Sequence, residues 1–439
     1  MKRVSLDPNL DPFALFAACR DEHPHAFILE SLTGPARLAE HTFVGFDPEV
    51  IISYRAGVLR SNGETIKTDR PIEALRSILT KYATPGVPGR YVGGLVGYVC
   101  YEFIRNLDSV PAHGDSPFPE FEFGLYLDGV IVDHVRRKAE YFAHGRSRFD
   151  DLPDTKPAMP EFHAETPKPQ VRQDRFVDEV TKAKAAILEG EAFQIVLSRR
   201  EYGRMAGDPL AFYEALRRLN PSPYMYYLDF GVRRVIGASP EMLLRVEDRT
   251  ATTFPIAGTR PLGTTLPEME CFRAELSADE KERAEHNMLV DLARNDLGKV
   301  SRFGTVRVPQ YMTVERYSHV QHLVSRVEGE LAAGKDALDA LVALFPAGTV
   351  SGAPKPRAME ILHDLEGTAR GPYAGVVGYL SLNGNLDTAI TIRTLFADGP
   401  TYYLQAGAGI VADSDPAKEW LETEHKLEAP RAALEEAAA

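Results

Sequence analysis

Hydrophobic positions recur at two different spacings along the chain. Up to about residue 150 the period is mostly two. The stretch 43–63 holds two extended runs split by turn residues, and 91–103 and 121–134 are rich in aromatic and β-branched side chains. Short helical patterns at 11–22 and 70–83 lie between them. After residue 171 helical spacing dominates, over 173–189, 209–219, 279–297, 335–344, 354–366 and 416–429. Three further strand-like runs, 376–382, 386–395 and 401–411, are separated by Asn383-Gly384 and Asp398-Gly399. Both dipeptides favour tight hairpins, so these runs predict an antiparallel meander. Antiparallel strands with interspersed helices define an α+β fold. Between the two regimes, residues 151–170 carry Pro153, Pro157, Pro160, Pro167 and Pro169. Proline lacks the amide donor and restricts its predecessor, so this stretch predicts a linker without regular structure. The expected division is a β-rich part over 1–150, a linker over 151–170 and a second domain over 171–439.

Composition narrows the classes. Of the 439 residues 44% are hydrophobic and 26% charged, too apolar for a disordered chain. Sixty-three acidic against 50 basic side chains leave a net charge of -13, which disfavours nucleic acid and anionic membranes as partners. The longest apolar stretch, 91–101, is far short of the ~20 residues a bilayer needs. The basic pair near the N-terminus is followed by no apolar core, so no secretory signal is expected. Cys19, Cys100 and Cys271 are odd in number and widely spaced, which points to a reducing, cytoplasmic setting.

Four constellations carry candidate chemistry. Glu282 and Glu285 share one face of a predicted helix that continues through Leu289 and Leu292. Glu419 and Glu422 repeat the spacing on a helix that Asp415 can cap, with Lys426 one turn further. Each pair alone reads equally well as a solvated acidic helix end; two pairs on two helices have the donor chemistry for one Mg²⁺. Three segments dense in small residues, 255–259, 348–354 and 405–409, read as turns, and Arg393 lies on a strand beside the third. Exposed amides near a guanidinium suit a carboxylate substrate. Finally, His319 and His322 are each either a core residue or a proton-transfer group. No strand–GxGxxG–helix unit and no GxxxxGK[ST] occurs, which disfavours dinucleotide and P-loop nucleotide binding.

Taken in order, PIAGTRPLG, DEKERAEHNMLVDLARND, FPAGTVSGAPKPRAMEI, RGPYAGVVGY, DTAITIRT, QAGAGIVADSDP and ETEHK resemble the chorismate-utilising enzymes, and within them the anthranilate synthase component I branch. The resemblance is strong over 175–430 and weaker before it. It implies a β-sandwich-like core of antiparallel sheets with surrounding helices. It also implies a Mg²⁺ held directly by Glu285 and Glu422 and through water by Glu282 and Glu419. Tyr373, Arg393, Gly407, Gly409 and Lys426 match positions around the substrate's carboxylates. Ala257, Gly258, Thr259 and Thr349 match further pocket positions. Glu241 matches the acid that protonates the departing C4 hydroxyl, and His322 the group that removes the C2 proton. His319 is then not used. Val320-Gln321-His322 and RPLG depart from the family's more common VMH and RPRG.

Two positions divide the family. Gln194 stands where members that add water carry a lysine base, so the resemblance implies an amine nucleophile. Ala257 stands where many aminodeoxychorismate synthases carry a nucleophilic lysine. The implied reaction is amination of chorismate at C2 with loss of pyruvate, giving anthranilate for tryptophan synthesis. The alternative is the aminodeoxychorismate synthase component of the folate route. Leu29, Glu30 and Ser31, with Asn220, Pro221, Pro223, Tyr224 and Met225, resemble the tryptophan feedback site of anthranilate synthases. No cysteine lies in a GxCxGxQ turn, so ammonia is expected from a separate glutamine amidotransferase subunit in a hetero-oligomer.

Overall fold

The computed structural model describes residues 1–33, 40–153, 160–316 and 320–439; Pro157 and His319 lie outside them. Among these residues two antiparallel sheets, of 13 and 12 strands, dominate the architecture. Strands from before and after residues 151–170 pair within both sheets. In the first, Phe27–Glu30 pairs with Tyr224–Phe230. In the second, Gly94–Val99 pairs with Val376–Ser381.

Period-two side chains explain how the sheets are covered. Along Tyr224–Phe230, the residues Tyr226, Leu228 and Phe230 enter the large core shared with Tyr98, Leu244 and Tyr379 of the second sheet. The alternate residues Met225 and Tyr227 face the other way, into a second core. The helices Pro12–Glu22, Leu210–Leu219 and Pro416–Ala437 supply the other side of that core. Both faces of this strand are therefore apolar, and the fold is the expected sandwich of antiparallel sheets with helices outside.

Several local expectations change. The expected meander is broken: 386–395 divides into Leu386–Ile390 in the second sheet and Thr394–Asp398 in the first. The strand Arg233–Ser239 makes the same change of sheet before Met242–Glu247. The two crossings run side by side. The Ile390 amide donates to the Glu241 carbonyl at 3.0 Å, and the Ala238 amide to the Arg393 carbonyl at 3.2 Å. Arg393 itself has left-handed backbone, φ 52°. The proline-rich segment also holds structure: Phe162–Ala164 and Lys168–Pro169 pair with Gln194–Gly207. An edge strand tolerates prolines where no ladder amide is needed. The helix Leu266–Ala278 was not expected from spacing; Thr265 and Glu268 form its capping box. The last helix runs on through Pro430 to Ala437.

A buried charge cluster seats that last helix. The Arg199 guanidinium donates to Thr423 Oγ1 at 2.7 Å and Glu201 Oε1 at 2.8 Å, pairs with Glu424, and stacks 4.0 Å from the Trp420 ring centre. Arg431 returns to Glu201 at 2.9 Å and Glu424 at 2.8 Å. This leaves Glu419, Glu422 and Lys426 on the neighbouring stripe of the helix. Replacing Arg199 with Met leaves Arg431 as the sole cation between two carboxylates. We expect a loss of about 3 kcal/mol in urea unfolding, at the low end for a broken buried pair. Faster amide exchange should be confined to 416–437.

Candidate active site

The crossing strands place an acid and a guanidinium next to each other. Glu241 lies between the strand that leaves the first sheet and the one that joins the second. Thr349, on the short helix Gly348–Ser351, donates its hydroxyl to Glu241 Oε1 at 2.8 Å. Burial pushes the Glu241 carboxyl up to about 7, against the opposing pull of the Thr349 hydrogen bond and of the Lys426 and Arg393 charges. Its proton is thus available near neutrality. Burial also lowers the Arg393 guanidinium, and among the described residues its side chain makes no hydrogen bond or ion pair. A half-buried guanidinium without an anion is primed for one.

His322 stands on Val320–Glu330, opposite Thr259. The register with Ile256–Pro261 slips between Ala257 and Thr259. Gly258 is the extra residue, with φ +65°, a conformation glycine adopts without strain. The bulge turns the Gly258 carbonyl to His322 Nδ1 at 2.9 Å, with Thr259 Oγ1 at 3.1 Å. A carbonyl only accepts, so Nδ1 carries the proton and the neutral ring keeps its lone pair on Nε2. Burial lowers the His322 pKa, helped by Arg393 and opposed by the Gly258 bond. The histidine is therefore neutral at pH 7, as a base must be.

The floor of the site is strand, not turn. Residues 405–409 belong to Thr401–Ile410, and 256–259 to Ile256–Pro261. The glycines serve close approach instead. A Cβ on Gly407 would lie 2.9 Å from the Tyr373 hydroxyl and from the Leu197 carbonyl. One on Gly409 would lie 2.9 Å from the Gln194 side-chain nitrogen. Gln194 opens the neighbouring strand Gln194–Gly207, and Lys426 donates to the Gly407 carbonyl at 2.7 Å.

The two acidic helices face one another. Glu282 and Glu285 lie on Glu280–Gly298, capped by Asp279, whose carboxylate accepts from the Lys281 and Glu282 amides. Its buried His286 reaches Ser325 Oγ at 2.6 Å and pins the helix to the strand of His322. Burial, then the negative charges of Glu282, Glu422 and Glu419, raise the Glu285 pKa, with Lys281 opposing. Glu419 is raised by burial and by Glu422. Arg260 pairs with Glu282 at 3.0 Å and Lys426 with Glu422 at 2.7 Å. Glu285 has no hydrogen bond or ion pair among the described residues. No three His, Cys, Asp or Glu side chains among these residues are gathered closely enough to hold a metal ion. The four carboxylates thus feel each other's charge without closing into a cage. Their all-oxygen donor set and the negative charge gathered around Glu285 fit a hard dication such as Mg²⁺.

The remaining expected residues meet elsewhere. Glu30 pairs with Met225 across adjacent strands, and the Thr33 hydroxyl donates to the Pro221 carbonyl at 2.9 Å. Leu29, Ser31, Asn220, Pro223 and Tyr224 lie on the same two segments. Spacing missed Arg260, which neutralises Glu282, and Arg370, which lies behind Tyr373. Arg260 acts on residues about twenty positions away, and Arg370, although its Glu366 partner is four residues before it, also reaches Val196 and Val350, which no local pattern links to it.

Comparison with known proteins gives this geometry a context. Residues 24–432 match the model of the chorismate binding enzymes. The chain is 49% identical to anthranilate synthase component 1 of Methanothermobacter marburgensis, covering 95% of this chain and 92% of that one. It is 42% identical to the protein of the same name from Acetivibrio thermocellus, covering 97% and 93%. Among solved structures, anthranilate synthase component I of Streptococcus pneumoniae superimposes with a TM-score of 0.78 at 36% identity, covering 91% and 93%. The menaquinone-specific isochorismate synthase of Escherichia coli shares the fold, with a TM-score of 0.77 at 22% identity, covering 99% and 94%. The chain belongs to the chorismate-binding enzymes and, within them, to the anthranilate synthase component 1 family.

The Thr349 contact is testable alone. A donor to a carboxylate favours its ionised form, so Thr349→Val should move the Glu241 pKa further upward. Carbonyl-region infrared titration, with Glu241→Gln identifying the band, reads this directly; an unmoved band would discard the contact.

Proposed function

We propose that this enzyme converts chorismate and ammonia into anthranilate and pyruvate. One observation carries the reading: an acid protonated near neutrality, an unpaired guanidinium and a neutral histidine of fixed tautomer converge where two acidic helices meet. A dianionic cyclohexadiene with a hydroxyl leaving group needs this set. Arg393 and Lys426 suit its carboxylates. A bound Mg²⁺, held by Glu285 and Glu422 with Glu282 and Glu419 behind them, would supply the charge that anchors the ring carboxylate.

In the proposed chemistry ammonia attacks C2, the ring double bonds shift, and the C4–O bond breaks as Glu241 gives its proton to the leaving hydroxyl. The new ammonium group releases a proton. His322 Nε2 then takes the C2 proton, the C3–O bond breaks with its electron pair leaving on oxygen, and the enolpyruvate released takes up a proton at its methylene carbon to become pyruvate, leaving the aromatic ring. Gln194 cannot act as a base and offers no route to water addition. Ala257 offers no amine for the aminodeoxychorismate reaction, the alternative reading.

The reading extends to partners. Ammonia comes from a separate glutamine amidotransferase in a cytoplasmic hetero-oligomer. Tryptophan inhibits at Leu29, Glu30, Ser31, Asn220, Pro221, Pro223, Tyr224 and Met225, with residues 1–150 supplying the first three. The buried Asn220 side-chain nitrogen has no partner among the described residues, which supports a ligand there. Glu30, raised by burial, is already committed to Arg217 at 2.7 Å and Tyr213 at 3.1 Å. No described helix is long and apolar enough to cross a membrane.

The deciding assay supplies chorismate, Mg²⁺ and ammonium, with and without tryptophan, and follows anthranilate fluorescence and pyruvate. Equal amounts of both, suppressed by tryptophan, are expected. Loss of chorismate without pyruvate would assign the folate route. Glu285→Gln should remove Mg²⁺-dependent turnover while the fold persists; unchanged turnover would reject the metal role.

The pH dependence follows from the two shifts. Glu241 is active as the acid, and that form is lost as pH rises through about 7. His322 is active as the base, and that form is lost only at pH below its depressed pKa. With rates normalised to free NH₃, kcat/KM should fall above about pH 7. Glu241→Gln should abolish this limb and lower turnover by roughly 10²–10⁴-fold.

A further inference from the structure

Behind the pocket lies a buried guanidinium that none of the roles above uses. Arg370 is 2% exposed and sits between the helix Lys355–Glu366 and Tyr373. It donates from Nη1 to the Val350 carbonyl at 2.6 Å and from Nη2 to the Val196 carbonyl at 2.7 Å. Nε and Nη2 hold the Glu366 carboxylate at 2.7 and 2.6 Å. Glu366 Oε1 also accepts the Ser198 amide and hydroxyl, both at 2.8 Å. The backbone is held as well: Glu102 accepts the Arg370 amide at 2.6 Å and the Gly371 amide at 2.9 Å. The Tyr101 ring centre lies 4.5 Å from the guanidinium carbon and that of Tyr373 5.7 Å.

Four of these connections lead to pocket groups. Val350 adjoins Thr349, which holds Glu241. Val196 is two residues from Gln194. Ser198 lies opposite Gly407. Tyr373 follows three residues after Arg370. One rigid fork therefore ties together the segments that carry the acid's partner, the glutamine, the glycine floor and the tyrosine. An apolar pair of similar volume can match a buried ion pair in stability, but it cannot aim two carbonyls and a carboxylate.

We infer that Arg370, acting with Glu366, is a positioning residue of the substrate pocket: it sets the relative places of Thr349–Glu241, Gln194, Gly407 and Tyr373 without touching substrate. This rests on the reading that the pocket turns over chorismate. Misplacement by about 1 Å is enough to lower turnover on the order of 10²-fold.

The test is the double variant Arg370→Met/Glu366→Met, which leaves no unpaired charge. The expected protein is folded, with its kcat at saturating chorismate down on the order of 10²-fold. The Glu241 titration should also move upward as the Thr349 bond loosens, with Arg370→Lys restoring part of both. A folded double variant with parental kcat and parental Glu241 titration overturns the inference. Should that variant not fold, Ser198→Ala removes one hydroxyl donor from Glu366 and is read the same way. A lower kcat with a shifted Glu241 titration supports positioning, and parental values for both reject it. The Glu241 titration is followed by infrared without substrate. Absence of anthranilate from the parent enzyme would therefore sink the functional reading and leave this inference to be judged on the titration.

Discussion

The site depends on one constraint, the corner at which two neighbouring antiparallel strands leave one sheet for the other. At such a corner the ladder is interrupted and the backbone must turn, so side chains that would alternate across a sheet are turned into the gap between sheets. Glu241 occupies one crossing and Arg393 the other, and two backbone hydrogen bonds hold the crossings together. The left-handed conformation at Arg393 is part of that turn. An acid and a cation placed this way feel each other's charge without forming an ion pair that would use up both. That separation lets desolvation dominate over attraction at Glu241 and keeps its proton near neutrality.

The rest of the pocket follows the same electrostatic logic. Besides the exposed Lys281, three cationic side chains, Arg393, Lys426 and Arg260, stand among five acids, Glu241, Glu282, Glu285, Glu419 and Glu422. Among the described residues two of those three already have a carboxylate, and Arg393 does not. A substrate anion therefore has one unpaired guanidinium to meet. Glu285, raised by burial and then by its acidic neighbours, has no cation paired to it among the described residues and stands to gain from a dication. His322 sits within the influence of Arg393, which helps hold it neutral. The guanidinium proposed to bind the substrate would thus add to burial in keeping the proposed base unprotonated.

Much of this was legible in the sequence because it is local. The helices over 173–188, 280–298 and 355–366 announce themselves by spacing, and Asp279 and Asp415 cap theirs as their side chains allow. Other features hide because their cause is tertiary. The run 386–395 is continuous in hydrophobicity, and only pairing with two different sheets breaks it at Thr391–Arg393. Gly407 and Gly409 look like turn residues, yet they lie in a strand because Tyr373 and Gln194 need the space a Cβ would fill. Prolines at 167 and 169 suggest a linker, but an edge strand needs only alternate amides. Arg370 shows only its local Glu366 partner in the sequence, since its other partners at 102, 196 and 350 converge only after folding.

The same corner gives a physical basis for coupling to the proposed tryptophan site. Tyr224–Phe230 lies between the strand of Leu29 and Glu30 and the strand Arg233–Ser239, which ends at the crossing before Glu241. Two side chains of this middle strand reach beyond it. The Tyr224 hydroxyl donates to Asp387 at 2.9 Å, and the Tyr226 hydroxyl lies 2.6 Å from Thr394 Oγ1. Asp387 and Thr394 flank the second crossing, with Arg393 between them. A ligand that shifts Tyr224 to suit itself therefore acts on both ends of the segment that presents the guanidinium. Close-packed sheets pass on such a shift as a rigid displacement, because neighbouring strands leave no void to absorb it. The proposed regulatory and catalytic sites are thus separated by one strand, and the bonds that make the corner rigid are those through which a ligand at the first would displace the second.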